Sequence, residues 1–237
     1  KKQINKLLRT MDINLREIKP FEKISQKSLI EIKNNIKYYK FGIGQAILSA
    51  IIPNEVLIII RGTARLLNTK EESQATVAKL GENSFIGLAS LLNAGAYESI
   101  TASTEILSIA LPDKVVLNLY KKEPSFREWC ETKLFPAEAL KVTQKIKDSS
   151  PKVSFNFNDL YKILINNSTI NTVLNNQKLT INEDHKALVI SDNVIGCNIG
   201  ALLETEQFLE IKGPFPARIL IIEGNIYNSL LNKKPEE

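Results

Sequence analysis

The residue types that most often carry chemistry are scarce in this chain of 237 residues, which has one histidine, His185, and two cysteines, Cys130 and Cys197. A single imidazole excludes an H-E-x-x-H zinc helix, and any Ser-His-Asp relay would have to pass through this one ring. His185 lies in Asn182-Glu183-Asp184-His185-Lys186, a polar run that reads as a surface turn rather than an acid/base site. The cysteines are far apart and form no C-x-x-C pair, so they read as free thiols of a reducing compartment and suggest neither a zinc cluster nor a disulfide. No G-x-x-x-x-G-K-[ST] phosphate loop is present. No catalytic residue, metal ligand or cofactor is therefore expected. Asn166-Asn167-Ser168-Thr169 matches the glycosylation pattern, but the cytosolic character of the chain argues that it is unused.

Charge is unevenly spread. Lys and Arg exceed Asp and Glu by seven over residues 1–150 and fall two short of them over 151–237, which together give the net +5. The basic residues of the first part are interleaved with acids, the pattern of a solvated face rather than a nucleic-acid patch. The strongest apolar run, Val56–Ile60, has the length of a buried strand and falls far short of the ~18 residues of a membrane span. A cytoplasmic location is expected. The start at Lys1-Lys2, with neither Met nor a signal-type stretch, suggests a piece of a larger protein.

The elements follow from periodicity and punctuation. Ile4–Leu8 reads as a short amphipathic helix within an N-terminal helical segment, residues 1–19. A second helix follows Pro20-Phe21, with Ser25 as its cap and Leu29, Ile32 and Ile36 at helical spacing. Tyr38–Phe41, Ala46–Ile52, Glu55–Arg61, Thr63–Asn68, Gln74–Lys79 and Ser99–Leu111 are short β-branched runs separated by turn residues, the mark of a small barrel or sandwich. Pro112 and Pro124 each open a helix, the second carrying Phe126, Trp129, Cys130 and Leu134. Pro136 interrupts or restarts that helix. Glu138–Lys147 then reads as a mobile or solvated helical linker, residues 136–150. The remainder, 151–237, is expected as a smaller α+β domain with one helix, Asn158–Ile165, and strands near Thr169–Leu174, Lys186–Ser191, Gln207–Ile211 and Ala217–Ile222. No long-period repeat of the propeller or solenoid kind is visible.

Particular residues within this order carry a resemblance. Gly44 stands in Phe41-Gly42-Ile43-Gly44-Gln45-Ala46-Ile47, Gly62 follows Leu57-Ile58-Ile59-Ile60-Arg61, and Gly81 precedes Phe85-Ile86-Gly87-Leu88-Ala89-Ser90-Leu91-Leu92. Ile100–Thr104 then fits a closing strand. Over about residues 20–135 the chain resembles cyclic-nucleotide-binding domains, which implies a mostly β fold with flanking helices: a barrel of the double-stranded β-helix or jelly-roll type.

The resemblance also implies a phosphate-binding cassette. A short helix would begin at Gly87, its free N–H groups and the positive end of its dipole facing a phosphate, with Gly87, Ala89 and Ser90 keeping that backbone role. In the family a glutamate after the glycine takes the ribose hydroxyl and an arginine takes the phosphate. Leu88 holds the glutamate position here. The arginine position falls near Ala96, with Tyr97 and Glu98 beside it, and neither Lys nor Arg occurs from Gly81 to Leu111. Each charge-assisted hydrogen bond contributes about 1.5–3 kcal/mol, so losing both weakens a cyclic nucleotide by roughly 10³-fold or more. Glu98 is expected to add like-charge repulsion. The expected degenerate pocket comprises Phe85, Ile86, Gly87, Leu88, Ala89, Ser90, Ala96, Tyr97 and Ser99. It is either filled from within or apolar enough for a lipidic or aromatic ligand.

A longer resemblance rests on Ile43–Ile47, Ile59–Leu67, Gly81–Leu92 and Ala102–Pro112. These phrases look like the N-terminal cytosolic region of cyanobacterial ATP-binding-cassette exporters of peptides and toxins. It implies a regulatory, sensor or docking module whose partner is the rest of a membrane transporter in cis, with homodimerisation through that transporter. It implies no nucleic acid and no enzyme in this part of the protein. The alternatives are a Crp-like transcriptional regulator, which needs a basic helix-turn-helix after the barrel, a true cyclic-nucleotide sensor and an inert scaffold.

Overall fold

The computed structural model describes residues 13–70, 75–149 and 156–231, and the helix expected at Ile4–Leu8 lies outside them. Two compact units are formed: Lys1–Leu88 with Glu98–Cys130, and Ala89–Tyr97 with Glu131–Glu237. This division does not coincide with the one drawn from the sequence at residue 150.

In the first unit, 3₁₀ turns at Leu15–Glu17 and Lys19–Phe21 lead into helix α1, Gln26–Asn35. Ser25 caps α1 as expected, its Oγ accepting the Ser28 N–H at 3.2 Å. Strands β1 (Lys37–Phe41), β2 (Ala46–Ser49), β3 (Glu55–Arg61), β4 (Ala64–Asn68), β5 (Ala75–Leu80) and β6 (Phe85–Ile86) follow. Helix α2 (Leu88–Leu92) belongs to the second unit except for Leu88, after which strands β7 (Ser99–Ala102) and β8 (Ile106–Pro112), helix α3 (Asp113–Lys122) and helix α4 (Pro124–Thr132) as far as Cys130 complete the first.

The eight strands make two four-stranded antiparallel sheets, β1-β8-β3-β6 and β2-β7-β4-β5. That pairing order is a jelly roll, as expected. It is not a closed barrel, because each sheet keeps two edge strands. The run expected as one strand over Ser99–Leu111 is two strands that belong to different sheets. The chain crosses between them at Ser103–Glu105, against Gly62. At φ +101 Gly62 has the left-handed conformation, and a Cβ there would lie 2.2 Å from the Glu105 carbonyl oxygen. Only glycine fits this crossing.

The core of this unit is aliphatic, with Ile58, Ile59, Leu66, Ile86, Ile100 and Ile106 fully buried. Beside it Phe21 stacks on Phe126 at 5.9 Å, and Phe85 lies 5.1 Å from Trp129. Phe126 is buried and Trp129 half-buried.

After α4 the second unit continues through α5 (Pro136–Ser149) and α6 (Phe157–Asn167). The solvated linker expected at Glu138–Lys147 is corrected. Pro136 does restart the helix, opening α5 after α4 has ended at Thr132, but Ala137, Ala139, Leu140, Val142 and Ile146 are buried along it. Strands β9 (Ser168–Val173), β10 (His185–Val189), β11 (Leu202–Leu203) and β12 (Ala217–Glu223) and helix α7 (Gly224–Leu231) follow. They form one antiparallel sheet, β11-β10-β12-β9. Its core packs Val173, Leu179, Ala187, Val189, Leu209 and Ile219. The strand expected at Gln207–Ile211 is reduced to two isolated bridges, Lys178↔Phe208 and Val194↔Ile211. No helix among the described residues is long and apolar enough to cross a membrane.

Candidate functional site

The ladder between β3 and β6, Leu57↔Ile86 and Ile58↔Phe85, fixes where the chain enters the expected cassette. The next residue, Gly87, has φ +89, and a Cβ there would sit 2.7 Å from Pro53 Cγ. The glycine is therefore required by the turn itself. Leu88, expected where a ribose-binding glutamate would stand, is fully buried in the first unit. Its side chain is part of the core.

The decisive contact is made by Glu98. Its carboxylate Oε1 accepts the Gly87 N–H at 2.9 Å, in a buried setting. Glu98 is 3 % exposed, and its own carbonyl accepts the Ala50 N–H at 2.8 Å. Glu98 was expected only as a negative charge beside a phosphate; in the structure its carboxylate holds the Gly87 N–H, one of the backbone groups expected to face that phosphate.

The remaining expected residues take structural roles. Phe85 belongs to the aromatic cluster with Phe21 and Trp129. Ile86 is core, and Ser99 pairs with Ser49 at the start of β7. These residues, with Gly87 and Leu88, lie in the first compact unit, whereas Ala89, Ser90, Ala96 and Tyr97 lie in the second. Ser90 is fully buried, its Oγ accepting the Tyr97 N–H at 3.1 Å. Ala96 is half-buried. The Tyr97 hydroxyl donates to the Ile190 carbonyl. Burial, followed by the negative charges of Asp192 and Glu138, raises this phenol above its ordinary range.

Sequence reasoning missed a buried polar network within the second unit. Arg218 is 2 % exposed and Glu138 fully buried. Arg218 Nε donates to Glu138 Oε1 at 2.5 Å and Nη2 to Oε2 at 3.0 Å. Glu138 also accepts from Asn93 Nδ2 at 2.6 Å and from the Phe135 N–H at 2.8 Å. Ser191 Oγ donates to Asn93 Oδ1 at 3.1 Å and accepts the Arg218 N–H at 2.6 Å. None of the buried side-chain nitrogens and oxygens of Arg218, Glu138, Asn93 and Ser191 lacks a partner, which is the condition for burying an ion pair. The signal available in the sequence was one arginine inside the apolar run Ala217–Ile222.

A second carboxylate is held in the first unit. Ser25 Oγ and Ser28 Oγ each donate to Glu123 Oε1 at 2.5 Å, and the Ser25 N–H donates to Oε2 at 3.1 Å. Burial works to raise this carboxyl, but the three hydrogen bonds outweigh it and hold it below the usual range. His185 starts β10 half-buried, with Nδ1 2.7 Å from Asp184 Oδ1. Cys130 is buried and Cys197 half-buried, and no disulfide joins them. No cluster of metal-ligating side chains occurs among the described residues.

No protein-family model matches the chain, and no curated protein matches it. Among solved structures it is similar to the Thermus thermophilus catabolite activator protein, at 18 % identity over 56 % of this chain and 60 % of that one, with a TM-score of 0.39. It is similar to the C-linker and CNBHD of zELK channels crystallised in the presence of cAMP, at 16 % identity over 55 % and 67 % of the two chains and a TM-score of 0.41. It is also similar to the regulatory domain of Toxoplasma gondii PKA crystallised with cAMP, at 11 % identity over 92 % and 91 % and a TM-score of 0.44. These scores are low. The jelly roll is established by the strand order and registers given above.

Proposed function

We propose that this chain is a non-catalytic regulatory or docking module of cyclic-nucleotide-binding type whose cassette is closed by its own Glu98. The single observation that carries this reading is the buried Glu98 carboxylate on the Gly87 N–H. A bound phosphate would have to displace that carboxylate while lacking the cationic partner that the family's arginine provides. Both terms oppose binding. The module then acts by contact with the machine to which it is attached, for which it needs different affinity for two states of that machine. On the exporter-like phrases in its sequence, that machine is an ATP-binding-cassette transporter of peptides or toxins, with this chain on its cytosolic side.

Thermal unfolding with cyclic AMP or cyclic GMP tests the first part. A site of ~1 μM affinity would add about 4.1 kcal/mol at 1 mM ligand, a rise of roughly 8–16 °C for a chain of this size. A closed cassette gives no more than about 2 °C. A large rise that saturates at micromolar ligand would show the cassette to be open. The second part is tested by the natural reading frame. Continuation into membrane spans and an ATPase supports it, whereas fusion to a basic helix-turn-helix and salt-sensitive DNA binding would replace it with a transcriptional regulator.

A further inference from the structure

The two units are built on one plan. We infer that the second unit is a second copy of the jelly roll, from which the cassette and one hairpin have been lost. In the first unit the first strand pairs with the last, the last with the inner strand, and the inner with the two-residue strand, giving β1-β8-β3-β6. In the second unit the corresponding order is β9-β12-β10-β11. Order alone could arise twice in unrelated sheets, so the registers decide the matter.

All three ladders agree in register. Lys37↔Ala110 through Phe41↔Ile106 corresponds to Thr169↔Ile221 through Val173↔Ala217. Glu55↔Pro112 through Ile59↔Ser108 corresponds to His185↔Glu223 through Val189↔Ile219. Leu57↔Ile86 and Ile58↔Phe85 correspond to Ala187↔Leu203 and Leu188↔Leu202. One set of equivalences reproduces all the pairs in these ranges: Lys37 with Thr169, Glu55 with His185, Phe85 with Leu202 and Ile106 with Ala217; only Arg61↔Leu107, beyond a bulge, and Ser168↔Ile222, at a ladder end, have no counterpart. A slip of a single residue in any ladder would break it and turn that strand's side chains to the other face.

The turn after the first strand supplies a detail that strand order does not require. Gln45 N–H donates to the Gly42 carbonyl, and the Gly42 N–H donates back to the Gln45 side-chain oxygen at 3.0 Å. Under the same equivalence, Gln177 N–H donates to the Leu174 carbonyl and the Leu174 N–H donates to the Gln177 side-chain oxygen at 3.0 Å. Between them stand Gly44 at φ +77 and Asn176 at φ +60, glycine and asparagine being the residues that best tolerate this conformation. Their N–H groups reach the Ala102 and Leu209 carbonyls. Ala46↔Thr101 of the first unit is matched by the bridge Lys178↔Phe208. In both units a helix begins on the residue after the last strand, at Asp113 and at Gly224.

The losses fall in two places. Residues 60–84, which hold the β4–β5 hairpin, correspond to residues 190–201. Residues 87–105, which hold α2 and β7, correspond to 204–216. The second sheet of the jelly roll is thereby reduced to isolated bridges, and no helix stands between β11 and β12. Resting on the function proposed above, this means that the chain keeps the plan of a two-site ligand-responsive protein with both sites closed. Glu98 closes one; deletion of the cassette closes the other.

A crystal structure tests the repeat independently of any ligand. The two sets of equivalenced strands are expected to superpose under a single rotation with the pairs above. An offset of one residue in any ladder, a shift of about 3.3 Å, overturns the inference. Matched substitutions give a second measurement. Gln45→Ala and Gln177→Ala are each expected to lower the thermal midpoint by about 2–4 °C, and Asn176→Gly to leave it unchanged or raise it. A silent Gln177→Ala, or a destabilising Asn176→Gly, means that the second turn is not the first one repeated. Sequences of relatives with a longer second unit are expected to carry their extra residues at 190–201 and 204–216. Extra residues inside the ladders contradict the repeat.

Discussion

Replacing Glu98 by alanine removes the acceptor from the Gly87 N–H and leaves that donor buried. The methyl group that remains can neither accept a hydrogen bond nor span the distance. A hydrogen bond to a charged acceptor contributes about 1.5–3 kcal/mol, and a stranded buried donor costs a similar amount, so Glu98→Ala is expected to lose about 2–3 kcal/mol. Glu98→Gln keeps an oxygen in place and gives up only the charge, for a loss near 1 kcal/mol. Urea denaturation followed by circular dichroism resolves these values, with the slope unchanged if only stability has moved. At roughly 2–4 °C per kcal/mol the alanine variant should melt about 4–12 °C lower. The reasoning fails if Glu98→Ala is as stable as the parent, or if the glutamine variant is the more stable of parent and variant. The second outcome would mean that the buried carboxylate costs more than its hydrogen bonds return.

Three further outcomes follow from the geometry. Arg218→Met strands the Glu138 charge and should cost about 3–5 kcal/mol in urea, while adding Glu138→Leu should restore most of it; a double variant no better than the single one argues against the ion pair as the cause. Gly62→Ala places a Cβ 2.2 Å from a backbone oxygen at φ +101 and should cost more than about 2 kcal/mol, whereas Gly42→Ala, with nothing within 4 Å, should be neutral. Equal midpoints for the two alanine variants would count against the crossing described at Ser103–Glu105. Because the Glu123 carboxyl is held below its ordinary 4.5 in the folded protein, its stabilisation is complete above that value and is lost as pH falls through the lowered folded value. The stability gap between the parent and Glu123→Gln should therefore narrow on acidification below pH 4.5, and a gap independent of pH from neutrality downward would refute the assignment.

Much of the first unit is legible in the sequence because its signals are local. Ser25 caps a helix with Leu29 and Ile32 on its buried face, Glu55–Arg61 is a β-branched run between turn residues, and Pro112 and Pro124 mark helix starts. The break between β7 and β8 is hidden because Ser103-Thr104-Glu105 contains neither Gly nor Pro, and what forces the crossing is Gly62, far away in sequence. Glu138 misled for a related reason. A charged residue two positions after a proline reads as solvated until Arg218, 80 residues on, is placed against it. At the expected cassette, Leu88 and Ala96 at the two ligand positions could be read directly, but the role of Glu98 could not, since it depends on one backbone N–H. The internal repeat is written in backbone registers and left-handed turns, with Gln45 and Gln177 as its trace in side chains.

The aromatic cluster of the first unit also has an optical use. Trp129 is the sole tryptophan of the chain, and its ring lies 5.1 Å from that of Phe85, the residue that begins β6 and leads into Gly87. Its emission therefore reports on one known place without any label. Displacement of β6, whether by a ligand, by Glu98→Ala or by attachment to a larger assembly, should change the wavelength or quenching of that emission before global unfolding does. The protein thus contains its own fluorophore beside the strand whose movement is in question.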